Sequence, residues 1–248
     1  MTEIRSVGDF NLATAEIITS AGITINIKSN IMHINLFEDI QKNSLAGEIL
    51  MQDSAGFVSE APIIGQEYLR LKIQTPSLRN ELDIIDFTEN VFIINSVQNR
   101  TETANNVSIY LLTFSSSEIV KNQRTKVTGS LSGTYSDIVQ QMMNRVNCQK
   151  KIYVEPTRGG KRIVAPNIRP FDVVAMALKS ASSAINENFS PSYLFFETFK
   201  GYHFRSLASL YAQPISQTYT SFVPGSQVNK GIVNIETELG NIIDYEIV

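Results

Sequence analysis

The chain has 248 residues, of which 43% are apolar and 18% are charged, so it can bury a substantial core and is not a disordered chain. Its net charge is −3 at pH 7 and its basic residues are scattered. This argues against a dedicated nucleic-acid binder but is compatible with a surface that DNA slides past. The single cysteine, Cys148, excludes an internal disulfide and a cysteine-based zinc site.

No targeting or membrane-spanning segment is predicted. The apolar runs are shorter than the roughly 18 residues needed to cross a bilayer, and residues 1–22 lack a basic region followed by an apolar core. We therefore expect synthesis in a cytoplasm, which is compatible with later incorporation into an exported particle.

Predicted strands dominate the first part of the chain. Residues 23–27 and 69–74 alternate apolar and polar side chains, which is the period of a sheet with one buried and one solvent-exposed face. A polar connection over residues 98–106 joins the last two predicted strands. Several short strands separated by Asn, Gly and Ser turns predict a barrel or a sandwich. The predicted strands are Ile23–Ile27, Ile31–Ile40, Leu45–Met51, Leu69–Gln74, Val91–Val97 and Val107–Phe114.

Helices and hairpins alternate in the middle third, which is predicted to be an α+β unit. Residues 151–166 and 192–206 each read as a hairpin, turning at Gly159–Gly160 and at Lys200–Gly201. Helix signals are capping residues, a proline at a helix start and an apolar helical face. The predicted helices are Glu118–Gln123 after the Ser115–Ser117 cap, Thr134–Val146 capped by Thr134 or Ser136, a helix from Pro170, and a brief helix from Ser206 to Tyr211 ended by Pro214.

Beyond Pro214 the sequence is polar and rich in turn residues until Val233, Ile235 and the alternating residues 242–248. An edge strand that ends in this way usually needs a pairing partner. Residues 213–248 are therefore expected to be a further β-rich segment.

Several words of the sequence resemble a known family. Within Leu36–Pro76 the words FEDI, NSLAGEI and PIIGQEYLRLKIQTP follow one another, and APNIRPFDVVAMALKSAS is followed by SPSYLFFETFKGYHFRSLASL. These words resemble the central baseplate hub protein of contractile-tailed, T4-like bacteriophages. The match spans roughly Ile23 to Tyr211 and is strongest at Phe37–Ile40, Ile63–Pro76, Pro166–Asp172 and Phe195–Ser206.

The resemblance implies an α+β, mainly β fold. It implies a tail-tube-like antiparallel β-barrel in residues 1–125, an α+β insertion domain in residues 126–212, and the incomplete start of a second tube-like barrel in residues 213–248. Three copies of such a chain make a pseudo-six-fold ring that joins the tail tube protein to the central spike protein. The implied partners are two further copies in a homotrimer, those two proteins, other baseplate proteins of the virion, and DNA that passes through the lumen without sequence-specific binding.

The residues that could carry chemistry are not grouped as catalysis requires. His33 and His203 lie far apart in sequence without a nearby cysteine or an HxxxH spacing, so a structural or surface role is favoured for both. An acidic cluster around Ile84–Ile85 could do acid–base work or bind a cation, but it lacks calcium-loop spacing and a solvated loop is favoured. Its members are Glu81, Asp83, Asp86 and Glu89. We expect no catalytic residue, metal or cofactor.

Three segments are candidate protein interfaces. Residues 157–162, TRGGKR, lack the phosphate-loop spacing and read as a hairpin tip, or as a basic tip that meets an acidic neighbour. The aromatic-rich residues 195–205 are typical of a strand core or of a protein-contact hot spot. Residues 37–40 end a strand, either as a polar terminus or as a contact with the ring above. The candidate interface residues are Phe37, Glu38, Asp39, Arg158, Lys161, Arg162, Phe199, Tyr202 and Arg205.

The leading interpretation is a structural, non-enzymatic hub component. The alternative is the spike-hub protein of a bacterial contractile injection or secretion system, which the residues do not separate from a phage hub. A remote alternative from another class is a cell-wall glycan hydrolase, which would need two carboxylates held across a cleft.

Overall fold

The computed structural model describes residues 10–54, 56, 63–74, 84–103, 107–185, 192–214, 220–221 and 241–242. These residues form a mainly β structure with few helices, as the sequence predicts. The strands are β1 (Asn11–Ile18), β2 (Thr24–Asn26), β3 (Ile31–Phe37), β4 (Ala46–Asp53), β5 (Tyr68–Gln74), β6 (Ile84–Thr103), β7 (Val107–Ser116), β8 (Val127–Gly133), β9 (Ile152–Val154), β10 (Lys161–Ile168), β11 (Tyr193–Thr198), β12 (Gly201–Ser206), β13 (Thr220–Ser221) and β14 (Asn241–Ile242). The helices are α1 (Ser117–Arg124), α2 (Tyr135–Arg145), α3 (Pro170–Leu178) and α4 (Leu207–Tyr211).

Seven strands form one antiparallel sheet in the order β2-β1-β5-β6-β7-β4-β3. The two edge strands, β2 and β3, follow each other in sequence and are joined by a short 3-10 helix at Lys28–Asn30. The five residue-to-residue steps from Asn26 to Ile31 can span at most about 18 Å. In a flat sheet, six inter-strand steps would separate these edges by about 29 Å. The sheet therefore has to curl, and the predicted barrel is present as a half-barrel.

The 3-10 helix itself contacts two strands, β1 and β4, which lie next to opposite edges of the sheet. The Lys28 side chain donates a hydrogen bond to the backbone carbonyl of Ala13 in β1. Asn30 Nδ2 donates to the carbonyl of Gln52 in β4 at 3.1 Å. The short connection thus holds the ends of two strands that lie far apart in the order of the sheet.

Strand β6 is longer than the sequence indicates, and two predictions about it are wrong. Its first half pairs with β5 and its second half pairs with β7. The segment Ile84–Glu89, predicted to be a solvated loop, is therefore part of a strand. The predicted polar connection that begins at Gln98 is also strand, as far as Thr103. Polar residues occur here because they face solvent from a paired strand: Asp86 lies opposite Lys72 and forms a 2.6 Å ion pair with it. Glu81 and Asp83 lie outside the described residues.

Buried apolar side chains form two separate clusters. The first cluster lies inside the half-barrel and includes the contacting rings of Phe87, Phe92 and Phe114, whose centroids are 4.4 and 4.9 Å apart in succession. Its members all fall between residues 15 and 114. The second cluster is drawn from residues 127–204 and packs α2 and α3 against the later strands.

The second cluster is covered by two small sheets, β10-β8 and β11-β12-β9. The predicted hairpin of residues 151–166 is wrong, because β9 pairs in parallel with β12 while β10 pairs with β8. Thr157, between them, is buried and accepts a hydrogen bond from the Ser136 backbone at 3.0 Å, which ties the connection to α2. The predicted hairpin at Lys200–Gly201 is confirmed as β11 and β12.

Three of the four described helices start at the capping signals of the sequence, whereas at α1 the N-cap residue Ser116 forms no side-chain cap hydrogen bond. Thr134 caps α2 in a reciprocal capping box with Asp137, and Pro170 is the first residue of α3. The Ser206 side chain accepts from the Ser209 backbone N–H at the start of α4. The predicted strands at Val233 and Ile235 and over residues 243–248 lie outside the described residues.

Candidate functional site

A buried ion cluster connects the half-barrel to the α+β unit. Lys150 Nζ lies 2.8 Å from Glu118 Oε2 and 2.6 Å from Glu197 Oε1, and the three side chains are 4%, 3% and 0% exposed. Glu197 Oε2 also accepts a hydrogen bond from the Leu45 backbone N–H, at 2.8 Å, just before β4. We call Glu118, Lys150 and Glu197 the junction cluster. It joins α1, the segment before β9, β11 and the half-barrel at one point.

The junction cluster is built for charge pairing and not for proton transfer. Burial on its own lowers the pKa of Lys150, but the adjacent Glu197 and Glu118 carboxylates outweigh burial and raise the pKa above its ordinary value. A lysine held in its charged form cannot act as a base. Sequence reasoning missed this cluster because its three members are far apart in the chain and no local pattern links them.

Two of the predicted interface segments meet at the surface near this junction. Glu38 Oε2 accepts a hydrogen bond from the Phe199 backbone N–H at 3.3 Å, which brings the end of β3 to the turn between β11 and β12. Phe37 and Ile40 are each 50% exposed and Phe199 is 38% exposed. We call Phe37, Glu38, Ile40, Phe199 and Lys200 the junction patch. Burial raises the pKa of Glu38, and the Phe199 hydrogen bond opposes that shift in part.

The other predicted interface residues divide between surface and core. Asp39 accepts from its neighbour Gln41 at 2.8 Å, as a polar strand terminus would. The three cations of the TRGGKR segment are exposed, although this segment is not a hairpin tip. These cations are Arg158, Lys161 and Arg162. Arg162 Nε donates a hydrogen bond to Ser130 Oγ at 2.6 Å.

Tyr202 is the one predicted interface residue that the structure moves into the core. It is completely buried, and its ring lies 5.5 Å from Phe195 and 6.2 Å from Phe171. Strand alternation explains this, since Tyr202 and Phe204 face the second cluster while His203 and Arg205 face the other way. An interface role for Tyr202 is therefore wrong.

The outer face of β11, β12 and β9 carries a stack of three rings. His203 lies directly opposite Phe196 and Tyr153 in the two neighbouring strands. Its ring is 4.7 Å from that of Tyr153 and 5.1 Å from that of Phe196, with interplanar angles of 6° and 12°. His203 Nε2 lies 3.0 Å from the Thr198 hydroxyl. We call Tyr153, His203 and Phe196 the ring ladder.

Burial, followed by the nearby charges of Arg205 and Lys200, lowers the pKa of His203 to about 4. Between pH ~6.5 and ~4 the unfolded chain therefore binds a proton at this position that the folded chain does not, and stability falls as the pH falls. After allowance for partial exposure, we expect His203 to contribute roughly 1–2 kcal/mol to this loss. His203→Phe keeps a ring in the ladder and removes the titration. Urea unfolding at several pH values between 7 and 4.5 gives the unfolding free energy at each pH. For this variant the unfolding free energy should fall less steeply as the pH is lowered.

His33→Gln is the matched control for this experiment, because His33 is exposed and its ring is hydrogen-bonded to the Asn35 side chain at 2.7 Å, outside the ring ladder. The change in the pH dependence of the unfolding free energy should be larger for His203→Phe than for His33→Gln. An unchanged slope in the His203→Phe variant would contradict the assigned cause.

Within the described ranges, no group of three His, Cys, Asp or Glu residues is placed to hold a metal ion. Burial raises the pKa of the Cys148 thiol to about 11, so this thiol is not an activated nucleophile. In the same part of the chain no helix is long and apolar enough to span a bilayer.

Comparison with known proteins finds distant structural similarity only. No family model and no curated protein matches the sequence. The tail protein of Neisseria meningitidis MC58 is 8% identical with a TM-score of 0.48, and the match covers 86% of this chain and 55% of that protein. The 43 kDa tail protein of prophage MuSo2 from Shewanella oneidensis is 13% identical, with a TM-score of 0.46 and coverages of 86% and 58%.

A third similar structure is the Francisella PdpA-VgrG complex, at 12% identity and a TM-score of 0.40, with coverages of 86% and 35%. The chain spans little more than half the length of the two tail proteins. Similarity at this distance carries no argument about function.

Proposed function

We propose that this chain is a structural, non-enzymatic subunit of a contractile-tail baseplate. In this proposal it forms a trimeric hub ring of the virion, joins the tail tube to the central spike and leaves a channel for DNA. The observation that supports it best is an apolar edge strand of the half-barrel that no other described strand covers. The choice of a baseplate hub, rather than another assembly, rests on the sequence segments that resemble baseplate hub proteins.

The uncovered edge is strand β3. It pairs with β4 on one side and, within the described residues, with no strand on the other. Its seven residues include no charged residue and no proline, and Met32 and Phe37 are about half exposed. Soluble proteins usually protect such an edge with lysine, proline or a covering segment. An unprotected edge of this kind fits a strand that pairs with a neighbour in an assembly.

The proposed ring follows from repetition of one such contact. Strand addition between half-barrels is heterologous, and a heterologous contact closes into a ring when its rotation closes. If each chain supplies two similar barrels, three chains form a ring of six barrels with pseudo-six-fold symmetry. The proposal therefore keeps the division into a barrel domain at 1–125, an insertion domain at 126–212 and a second barrel that begins at 213.

The junction cluster has a clear task in this proposal. A ring that must match a tube above and a spike below needs its two units held at a fixed orientation. The buried contacts of Lys150 and Glu197 tie the α+β unit to the half-barrel beside β4. The junction patch then lies at the end of the proposed pairing edge, where a neighbouring subunit would contact both units together.

The test is the mass and symmetry of the purified 248-residue chain. Sedimentation equilibrium should give three times the 27.6 kDa chain mass, and class averages from electron microscopy should show three-fold symmetry around a central channel. A stable monomer at tens of micromolar concentration would contradict the proposal. Turnover of peptidoglycan by the same preparation would favour the hydrolase alternative.

A further inference from the structure

The ring ladder ends at a sheet edge that carries two positive charges. Lys151 Nζ lies 4.7 Å from the centre of the Tyr153 ring, and the Arg205 guanidinium carbon lies 5.9 Å from it. Neither cation forms an ion pair with a carboxylate among the described residues. Ring faces attract cations, so Tyr153 holds both charges at the edge without neutralising them.

The backbone at this edge has groups available for pairing. The Lys151 carbonyl accepts from Tyr202 N–H and the Glu155 N–H donates to the Phe204 carbonyl, both at 2.9 Å, so these residues bond to β12. Alternate residues of a parallel strand bond to the same neighbour. The N–H and C=O groups of Ile152 and Val154 must therefore point away from β12, to a side where the described residues place no strand.

A groove of about 350 Å³ lies beside the same strand. Four of the eight residues that line it are apolar or aromatic, namely Tyr153, Val154, Pro156 and the exposed Ile185. The other four are Glu155, Arg205, Ser209 and Gln213.

Glu155 also lines this groove, but its carboxylate is already occupied within the chain. Ser183 Oγ donates to one of its oxygens at 2.6 Å and the Ser206 backbone N–H donates to the other at 2.7 Å. It is almost fully buried. These hydrogen bonds come from neutral groups, so Glu155 keeps its charge, but its oxygens are engaged within the chain and not presented at the strand edge. The charged side chains that flank the Tyr153 ring at the edge are Lys151 and Arg205.

We propose that this edge, defined by Lys151, Ile152, Tyr153, Val154 and Arg205, binds an extended acidic segment of a partner protein by strand addition. The partner's backbone pairs with Ile152 and Val154, and its alternate side chains face the ring ladder, where carboxylates meet the two cations. Charge complementarity selects an acidic segment. A nucleic-acid strand would satisfy the charges but has no backbone N–H and C=O groups to continue the sheet. The inference is independent of the proposed hub role.

The test uses the full chain and two labelled nine-residue peptides, one with alternating Glu and Val and one with Lys in place of Glu. Fluorescence anisotropy should show the acidic peptide binding at least about tenfold more tightly. Hydrogen exchange should show protection of the Ile152 and Val154 amides when it binds. The double variant Lys151→Gln with Arg205→Gln should weaken binding on the order of tenfold.

The matched control is Arg145→Gln with Lys179→Gln, which removes the same charge from two exposed helix ends and should leave binding unchanged. Equal affinity for both peptides, or no effect of the edge variant, would overturn the proposal. So would oligothymidylate binding with the same dependence on Lys151 and Arg205 but without amide protection. The mass of the assembly is measured separately, so failure here is distinguishable from failure of the hub proposal.

Discussion

Replacing Lys150 with methionine is expected to lower the free energy of unfolding by about 3–5 kcal/mol. The change removes the cation that is paired with the buried Glu197 carboxylate and leaves Glu118 paired, among the described residues, only with the partly exposed Lys121. Glu118 and Glu197 are almost completely buried, and Lys150 is the cation that lies between them. Methionine fills a similar volume, so the loss reports on charge and not on a cavity. Urea unfolding at pH 7, followed by circular dichroism, measures the change.

The chain offers a matched control in Lys121. Its ammonium lies 3.7 Å from the same Glu118 carboxylate, but its side chain is 37% exposed. Lys121→Met should therefore cost less than about 1 kcal/mol. Adding Glu118→Gln and Glu197→Gln to Lys150→Met should recover most of the loss, since the buried charges are then gone. Equal losses for the two lysine variants would show that burial is not the cause.

The junction cluster also shows where sequence reasoning stops. Alternation in residues 69–74 predicts β5 because the signal lies within one strand. Thr134 and Pro170 mark helix starts because a cap involves neighbours in the chain. Lys150 and Glu197 are separated by 47 residues, and nothing local to either residue indicates that they meet. Local patterns thus predict elements, whereas contacts that fix the orientation of two units require the fold.

The wrong hairpin at residues 151–166 has a related cause. Two β-branched segments around Gly159–Gly160 fit a hairpin locally, yet β9 pairs with β12 and β10 with β8. Tertiary partners decided the pairing because each strand buries apolar side chains in the second cluster. Conversely, Lys200–Gly201 does turn a hairpin. Gly201 has a φ of +128° there, and a Cβ at this position would collide with the Lys151 carbonyl.

The junction patch was predictable in parts but not as a surface. Sequence reasoning selected Phe37, Glu38 and Phe199 from two distant words. Only the hydrogen bond from Phe199 N–H to Glu38 shows that they form one surface. The same residues had an alternative interpretation as a strand terminus and a strand core. Tyr202, from the same aromatic segment, is in the core.

Placing lysine at two positions of the β3 edge, Met32→Lys with Phe37→Lys, is expected to convert the proposed trimer into a monomer that keeps its fold. Both side chains are about half exposed and neither belongs to the buried cluster of the half-barrel, so the folded monomer loses little. Sedimentation equilibrium should report a single 27.6 kDa species. The unfolding free energy of the monomer should change by less than about 1 kcal/mol.

The physical reason is that lysine is the residue natural sheets use to block edge pairing. A neighbouring strand would have to remove the water around each ammonium, which costs several kcal/mol when no carboxylate is placed to receive it. Val164→Lys is the control, since Val164 is 64% exposed on β10, in a different sheet. It makes the same kind of change away from the proposed edge and should leave the trimer intact. A trimer that survives both lysines would show that subunits do not pair through β3, and the ring contact would then have to lie elsewhere.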